Sequence, residues 1–256
     1  MRKTSFAGIV ASAMLLLACP GGARANTPNQ NFVSQAYLDL LNRPADPFSL
    51  STFSTALDTA SLTPTQVAFD IESTDEYRGV VVQGGYQLLL HRPADTLGLS
   101  QGVSLLGGGG TDEQFRAILA GSPEYLADHG GTNDGFLTAV YGDLLQRPIS
   151  NSELISDESF LAGATRQQFA TVVLSSTEYR QDLVMGWYEQ FLHRPADSSA
   201  LTGFTAELGG GATDETVISQ IIGSPEYFQD AQSTPEPSIT PAALGGLLLL
   251  RRLRRR

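Results

Sequence analysis

The sequence predicts an all-α fold, an array of four stacked helical repeats of about 50 residues each. Two short motifs recur with constant spacing, apolar residues recur at helical intervals, and no run alternates with the period of a strand. The first motif is Arg-Pro, at Arg43, Arg92, Arg147 and Arg194. The second is Glu-Tyr, 32 to 34 residues after each arginine, at Tyr77, Tyr125, Tyr179 and Tyr227. We number the four copies by these repeat arginines.

Each copy is expected to open with an amphipathic helix. A tyrosine lies six residues before each repeat arginine, and apolar pairs every four residues place one apolar stripe on the helix. These tyrosines are Tyr37, Tyr86, Tyr141 and Tyr188. We expect each ring to pack in the core and each hydroxyl to bond to neighbouring backbone. The proline after the arginine is expected to stop the helix.

Three copies continue the motif as Arg-Pro-Ala-Asp, with Asp46, Asp95 and Asp197, and these aspartates have two interpretations. In the structural one, the arginine pairs with the aspartate or caps helix carbonyls, and the aspartate caps the next short helix. In the other, the aspartates and the motif glutamates bind calcium weakly. Calcium takes six to eight oxygens, which no compact loop here supplies, so the sequence favours the structural interpretation.

A later helix of each copy opens at a threonine. Thr63, Thr111 and Thr165 are each followed three residues later by glutamine, which is the pattern of a capping box. Thr213 lacks the glutamine and keeps only the cap. The sequence therefore predicts four capped helices with the same position in each copy.

The copies are expected to form two pairs. From Glu76 and Glu178 a helix can continue into the next copy, so copies one and two, and copies three and four, should share a helix. A loop insertion at residues 128–135 separates copies two and three. We therefore expect two closely joined units, residues 26–127 and residues 136–230, with a softer joint between them.

Residues 1–25 have the order of a secretory signal peptide: a basic start, an apolar run and a small-x-small site that ends at Ala25. This interpretation predicts export and makes signal peptidase a partner. The alternative is a lipoprotein that is cut before Cys19.

Residues 231–256 contain a linker and a second tripartite pattern: a Pro-Glu-Pro motif, an apolar stretch and an arginine cluster. Its members are Pro235, Glu236, Pro237, Arg251, Arg252, Arg254, Arg255 and Arg256. A helix formed by the apolar stretch would be about 18 Å long, which is shorter than the ~30 Å bilayer core. The pattern resembles the PEP-CTERM sorting signal. The resemblance implies a transmembrane helix held in the inner membrane until an exosortase-type enzyme processes it for the cell surface or the extracellular space. A plain tail anchor is the alternative.

The repeat itself also carries a resemblance. Tyr-x-x-Leu-Leu-x-Arg-Pro-x-Asp, a capped helix and Ser-x-Glu-Tyr resemble the bacterial domain-of-unknown-function family 4214 over about residues 31–230. Copy three departs from the pattern, because Ile149-Ser150 replaces Ala-Asp. The signature is also similar to that of phycobilisome linkers, which join proteins. The resemblance implies a secreted or cell-surface protein, and no motif in it implies a reaction.

Charge and composition exclude several classes of function. Between residues 26 and 238, eight arginines stand against 27 acidic residues, a formal net charge of −19 compared with −11 for the whole chain. Such a surface repels nucleic acid. Lys3 and Cys19 are the only lysine and cysteine, and both lie in segments expected to be removed. Lysine catalysis, disulfides and thiolate metal sites are thereby excluded from the mature chain.

The three histidines are predicted not to form a metal site. His91 and His193 precede repeat arginines at a position that holds Asn42 and Gln146 in the other copies, which indicates a solvated helix end. His129 lies alone in the loop insertion, and the spacing of the three is not that of a zinc site.

Gly98-Leu99-Ser100-Gln101-Gly102 matches the nucleophile-elbow pattern of hydrolases but lies in a helical repeat with no strand before it. The motif is therefore a weak indication of catalysis.

Taken together, the repeats, the charge and the two targeting patterns predict a non-enzymatic surface or matrix protein that scaffolds or adheres through its helical faces. The PEP-CTERM resemblance implies association with biofilm or exopolysaccharide, and the ligand is an unidentified protein or polysaccharide. The alternatives are a protein-joining linker and, disfavoured, a secreted hydrolase that uses Ser100.

Overall fold

The computed structural model describes residues 26–233, and within that range it confirms an all-α fold without strands. The helices up to the loop insertion are α1 (Pro28–Leu41), α2 (Pro47–Asp58), α3 (Pro64–Glu72), α4 (Asp75–Leu89), α5 (Thr96–Gly107), α6 (Asp112–Ala120) and α7 (Pro123–Asp128). The later helices are α8 (Asn133–Leu144), α9 (Asn151–Leu161), α10 (Arg166–Leu174), α11 (Thr177–Phe191), α12 (Ser198–Gly209), α13 (Asp214–Ile222) and α14 (Pro225–Ser233).

Both predicted targeting segments lie outside the described residues. These are the signal peptide at residues 1–25, with Cys19, and the sorting segment with its motif at 235–237 and its arginines at 251–256. Among the helices of residues 26–233, none combines the length and the apolar character that a membrane crossing requires.

The helix starts follow the predicted caps. Thr63, Thr111 and Thr165 each accept a hydrogen bond from the backbone N–H three residues on, and the glutamine there accepts one from the threonine N–H. Thr213 caps α13 without the reciprocal bond, as its sequence predicts. These bonds satisfy N–H groups that the first turn of a helix otherwise leaves unpaired.

The first helix of each copy is followed by a residue in the left-handed conformation. Asn42, His91, Gln146 and His193 have φ between 52° and 54°, a region where asparagine and histidine are enriched among non-glycine residues. The helix has therefore ended before the chain reaches the Arg-Pro step. The position before each arginine is therefore a left-handed turn as well as a helix end.

The buried apolar residues form two cores, and two long helices run from one to the other. Helix α4 contributes Tyr77, in its first turn, to the first core and Val82, further along, to the second core. Helix α11 begins in the second core at Tyr179 and enters the first core at Val184. The predicted shared helices are thus confirmed, and each of them couples the two cores.

The two cores do not coincide with the predicted units. The first core combines copies one and four and the second combines copies two and three, whereas the sequence predicted units at 26–127 and 136–230. The loop between α7 and α8 therefore connects helices of one core rather than two separate units. The shared helices predicted that copy one pairs with copy two and copy three with copy four. The packing of the later, threonine-capped helices instead brings copy one to copy four and copy two to copy three.

The capped helices pack in antiparallel pairs, α3 with α13 and α6 with α10. In each pair, a glycine after one helix lies against the first turn of the other. A Cβ at Gly223 would lie 2.6 Å from Thr65 Cα, and one at Gly121 would lie 2.6 Å from Gln167 Cβ. The absence of a side chain therefore permits this close approach.

The two ends of the described chain meet. Helix α14 packs on α1, with Phe32 stacked on Phe228 at 5.6 Å between ring centroids. Gln232 Nε2 donates to the Pro28 carbonyl at 3.2 Å, and Asn31 Nδ2 donates to Gln232 Oε1 at 3.2 Å. Copy four is therefore joined to copy one through contacts between helices rather than through a loop.

Candidate functional site

The two repeated motifs meet in a contact that we call the repeat clamp. In each copy the repeat arginine donates to both carboxylate oxygens of the glutamate in the Glu-Tyr motif. The four glutamates are Glu76, Glu124, Glu178 and Glu226, with Nη2–Oε2 distances of 2.6–3.0 Å. Each guanidinium also lies 4.9–5.2 Å from the ring centroid of the tyrosine six residues earlier. Bidentate and cation–π contacts both fix the arginine, so the constant spacing of the motifs reflects this contact.

The arginine pairs with this glutamate rather than primarily with the predicted aspartate. The nearest arginine and aspartate atoms lie 3.9 Å apart in copy one and 4.0 Å apart in copy two. Asp46, Asp95 and Asp197 instead accept backbone N–H bonds at 2.8–3.1 Å from the first turns of α2, α5 and α12. The predicted caps are therefore confirmed. These bonds hold the pKa of Asp46 and of Asp197 below the usual value.

Copy three keeps the clamp although its sequence departs from the motif. Ser150 caps α9 in place of aspartate, and Glu153 completes a capping box. Glu153 also bonds to Arg147 at 2.7 Å, so this arginine contacts two glutamates. The hydrogen bonds from Arg147 and then Ser150 lower the pKa of Glu153 to about 2.

Arg92→Ala is expected to lower the melting temperature while leaving the helix content of the folded protein unchanged. The variant loses the ion pair to Glu124 and the stack on Tyr86, but both charged partners are more than a third exposed, so the loss is modest. Thermal unfolding followed by circular dichroism measures it. Arg78→Ala is the matched control, since the ion pair of Arg78, to Asp75, lies within one turn of its own helix. A smaller loss in Arg92→Ala than in Arg78→Ala would contradict the clamp.

One of the four tyrosines that precede the repeat arginines, Tyr141, bonds through its hydroxyl to an aspartate rather than to the predicted backbone. Tyr141 donates to Asp157 Oδ2 at 2.8 Å. The motif tyrosines provide two further bonds, from Tyr125 to Asp143 at 2.9 Å and from Tyr227 to Asp39 at 2.7 Å. The Tyr125–Asp143 bond joins copy two to copy three, and the Tyr227–Asp39 bond joins copy four to copy one. The two bonds therefore have the same place in the two junctions.

The hydrolase-like motif has a packing role. Ser100 lies exposed within α5, and the flanking glycines Gly98 and Gly102 are buried. A Cβ at Gly102 would lie 2.6 Å from Val82 Cγ2, and one at Gly98 would overlap the Tyr86 hydroxyl. The glycines therefore let α5 pack closely on α4, which explains their spacing without a catalytic serine.

An acidic pocket of about 230 Å³ is lined by the first turns of α6 and α13. Its carboxylates belong to Glu72, Asp112, Glu113, Asp214 and Glu215. Glu72 is only 1 % exposed, and neither of its carboxylate oxygens has a hydrogen-bond partner. Burial, followed by the negative charges of Glu215 and Asp214, raises the pKa of Glu72 to about 10. Glu72 is therefore a neutral acid at pH 7.

Two histidines meet an aspartate between copies two and three. His91 follows α4, His129 follows α7 and Asp143 lies in α8, and one potential ligand atom from each lies within 4.8 Å of the others. This placement differs from the scattered histidines that the sequence predicted. Sequence spacing could not reveal it, because the three residues reach the same place from different helices.

Copies four and one contain a counterpart of this cluster with one replacement. His193, Asp39 and Tyr227 line a pocket of about 350 Å³ where Ala231 stands in the position equivalent to His129. The Tyr227–Asp39 bond repeats the Tyr125–Asp143 bond. Residues 26–233 thus contain one two-histidine cluster and one equivalent place with a single histidine.

Compared with models of protein families, with curated proteins and with solved structures, the chain matches none of them. The resemblances drawn from the sequence therefore stay predictions. The repeat clamp, the acidic pocket and the histidine–aspartate cluster are interpreted from their own geometry.

Proposed function

We propose that this chain is a non-enzymatic exported scaffold, a four-copy helical repeat that closes on itself and acts at the cell surface or in the extracellular matrix. The observation that carries the proposal is the repeat clamp. The charged and aromatic residues that recur in every copy bind one another, one set to each copy. Recurrent residues used in this way support a fold rather than a shared reaction centre.

Closure of the repeat supports a scaffold role. Copy four meets copy one through the same tyrosine–aspartate bond that joins copy two to copy three. An open repeat array needs special capping units at its ends, whereas a closed one buries them against each other. A closed unit of this kind is a stable body on which outward-facing side chains can bind a partner.

Apolar side chains on the outer helices are the candidate contacts for that partner. Phe48 on α2, Leu97 on α5 and Ile155 on α9 are 79 %, 66 % and 68 % exposed. Covering such a side chain with another surface removes apolar area from water, which is favourable. The same observation supports the second candidate, a protein-joining linker.

Capture from envelope fractions tests the proposal. The mature chain is compared with a triple variant, Phe48→Ser, Leu97→Ser and Ile155→Ser, which is expected to keep its helix content and lose the captured material. Captured polysaccharide supports the matrix role, and captured protein supports the linker. Turnover of ester or peptide substrates that disappears in Ser100→Ala would overturn the non-enzymatic proposal.

Replacing Pro235-Glu236-Pro237 with alanines is expected to leave the protein held in the membrane and uncleaved. Proline disfavours helix, so we expect this motif to leave the backbone beside the apolar stretch accessible to a sorting enzyme. Deleting residues 251–256 is expected to let more unprocessed protein pass into the periplasm, because the positive-inside rule predicts that these arginines would hold the apolar stretch at the cytoplasmic face. Mass spectrometry of the mature protein, with and without the sorting enzyme, measures both results. If the mature protein keeps its arginine tail both with and without the sorting enzyme, the sorting-signal interpretation is wrong and a plain tail anchor is the remaining one.

A further inference from the structure

The geometry points to a binding site for a divalent transition metal ion, with Zn²⁺ as the best match, at His91, His129 and Asp143. The inference is independent of the proposed scaffold function. One potential ligand atom from each residue lies within 4.8 Å of the other two. Zinc ligands lie about 2.0–2.2 Å from the metal, so atoms this close share one ion after only small side-chain movements.

The orientation of His129 prepares one ring nitrogen for the metal. His129 Nδ1 lies 2.8 Å from the Tyr125 carbonyl oxygen. A carbonyl only accepts, so Nδ1 carries a proton, and Nε2 is the ring nitrogen whose lone pair can bind a metal. His129 Nε2 faces Asp143 Oδ2 at 3.9 Å, which is too long for a hydrogen bond. Two electron-pair donors thus face each other across a gap that fits a cation.

Tyr125 holds two of the three ligands at once. Its carbonyl fixes His129, and its hydroxyl donates to Asp143 Oδ2 at 2.9 Å. The Tyr125 ring also packs against the His129 ring, with centroids 4.4 Å apart. Hydrogen bonds that orient metal-bound histidines and carboxylates are a regular feature of zinc sites. His91 has a similar partner, since its Nδ1 lies 3.4 Å from the Gln87 carbonyl.

The donor set selects the metal. Two imidazoles and one carboxylate suit Zn²⁺ and neighbouring first-row divalent ions, whereas Ca²⁺ requires six to eight oxygens. Three protein ligands leave a fourth position for water. His91 is exposed, so the ion enters from solvent.

The bound ion would tie together three helices. His91 follows the end of α4, His129 follows the end of α7 and begins the loop at residues 129–132, and Asp143 lies within α8 beyond that loop. That loop contains two glycines with positive φ, Gly130 at 83° and Gly131 at 70°. A metal that binds only the folded arrangement stabilises it in proportion to the ion's free concentration.

Calorimetric titration of the purified full-length chain with Zn²⁺, after treatment with a chelator, tests the site. We expect one equivalent to bind, and a rise in melting temperature to accompany it. His129→Ala and His91→Ala are expected to abolish this binding, and Tyr125→Phe to weaken it by about tenfold or more by freeing Asp143. Because His91 is exposed, His91→Ala tests the site even if His129→Ala fails to fold.

His193→Ala is the matched control, because His193 has the place of His91 in the equivalent position where Ala231 replaces the second histidine. This variant is expected to bind Zn²⁺ as the unaltered chain does. Co²⁺ in place of Zn²⁺ is expected to give the visible absorption of a four-coordinate ion, which disappears in His129→Ala and in His91→Ala. Binding that is unchanged in both variants, equal loss in His193→Ala, or no binding at all would overturn the site.

Discussion

Glu72→Leu is expected to stabilise the protein by on the order of 3 kcal/mol at pH 7, since it removes a buried carboxyl whose folded state must hold a proton. Both oxygens of Glu72 are buried without a hydrogen-bond partner, close to the carboxyl groups of Asp214 and Glu215. Leucine matches the site, because the last residue of α10 at the equivalent position is Leu174.

The gain is expected to depend on pH. Below about pH 4.5, the usual pKa, Glu72 is protonated in both the folded and the unfolded chain, so its charge contributes no difference. From there to about pH 10 only the unfolded chain releases the proton, and the unaltered protein loses stability by about 1.4 kcal/mol per pH unit. Glu72→Leu lacks this loss, so the difference between the two proteins widens as the pH rises.

Urea unfolding at pH 5, 7 and 9 measures this difference. Leu174→Glu places the same acid at the equivalent position of the other helix pair, so it is expected to destabilise and to acquire the same dependence on pH. A difference between Glu72→Leu and the unaltered chain that stays constant over this range would show that Glu72 is ionised in the folded protein.

Tyr125→Ala is expected to destabilise the whole domain by about 3–5 kcal/mol, the usual cost of deleting a buried aromatic ring. Tyr125 is completely buried in the second core and bonds to Asp143. Because α4 and α11 each pass through both cores, we expect the loss to reach the first core as well. Trp187, the chain's only tryptophan, lies in that first core and reports on it.

Denaturant unfolding of Tyr125→Ala, followed by Trp187 fluorescence and by circular dichroism in metal-free buffer, separates the possibilities. One cooperative unit requires that both signals shift together. Tyr227→Ala, the equivalent change inside the first core, is the matched control. A fluorescence transition that moves in Tyr227→Ala but not in Tyr125→Ala would show that the cores unfold independently.

Local features of the fold could be predicted from the sequence. Helix periodicity predicted one apolar stripe on the first helix of each copy, and in copy three the apolar pairs of that stripe, Phe136–Leu137 and Val140–Tyr141, are all buried. Threonine caps and the continuous helices from Glu76 and Glu178 also followed from short-range chemistry, since a cap and a helix turn depend on residues within four positions.

Long-range pairing could not be predicted. The repeat arginines were assigned to nearby aspartates, because sequence shows neighbours and not a glutamate about 32 residues away. The choice between copies one-two and one-four depends on how α3 meets α13, through a contact at Gly223 that no local pattern announces. The cluster of His91, His129 and Asp143 was missed for the same reason.

The antiparallel contact of α1 with α14 also determines how the domain carries mechanical load. Pro28 contacts Gln232 at one end of this helix pair, and Asp39 contacts Tyr227 at the other, so both chain ends leave from the same end. A force that pulls residues 26 and 233 apart acts first on the Pro28–Gln232 end of the pair and last on the Asp39–Tyr227 end. The contacts between α1 and α14 therefore break one after another rather than all at once. The equivalent pair α7 and α8 is closed at that end by the loop at 129–132 and resists the same motion. Under tension, copy one is therefore expected to separate from copy four first, while copies two and three stay joined.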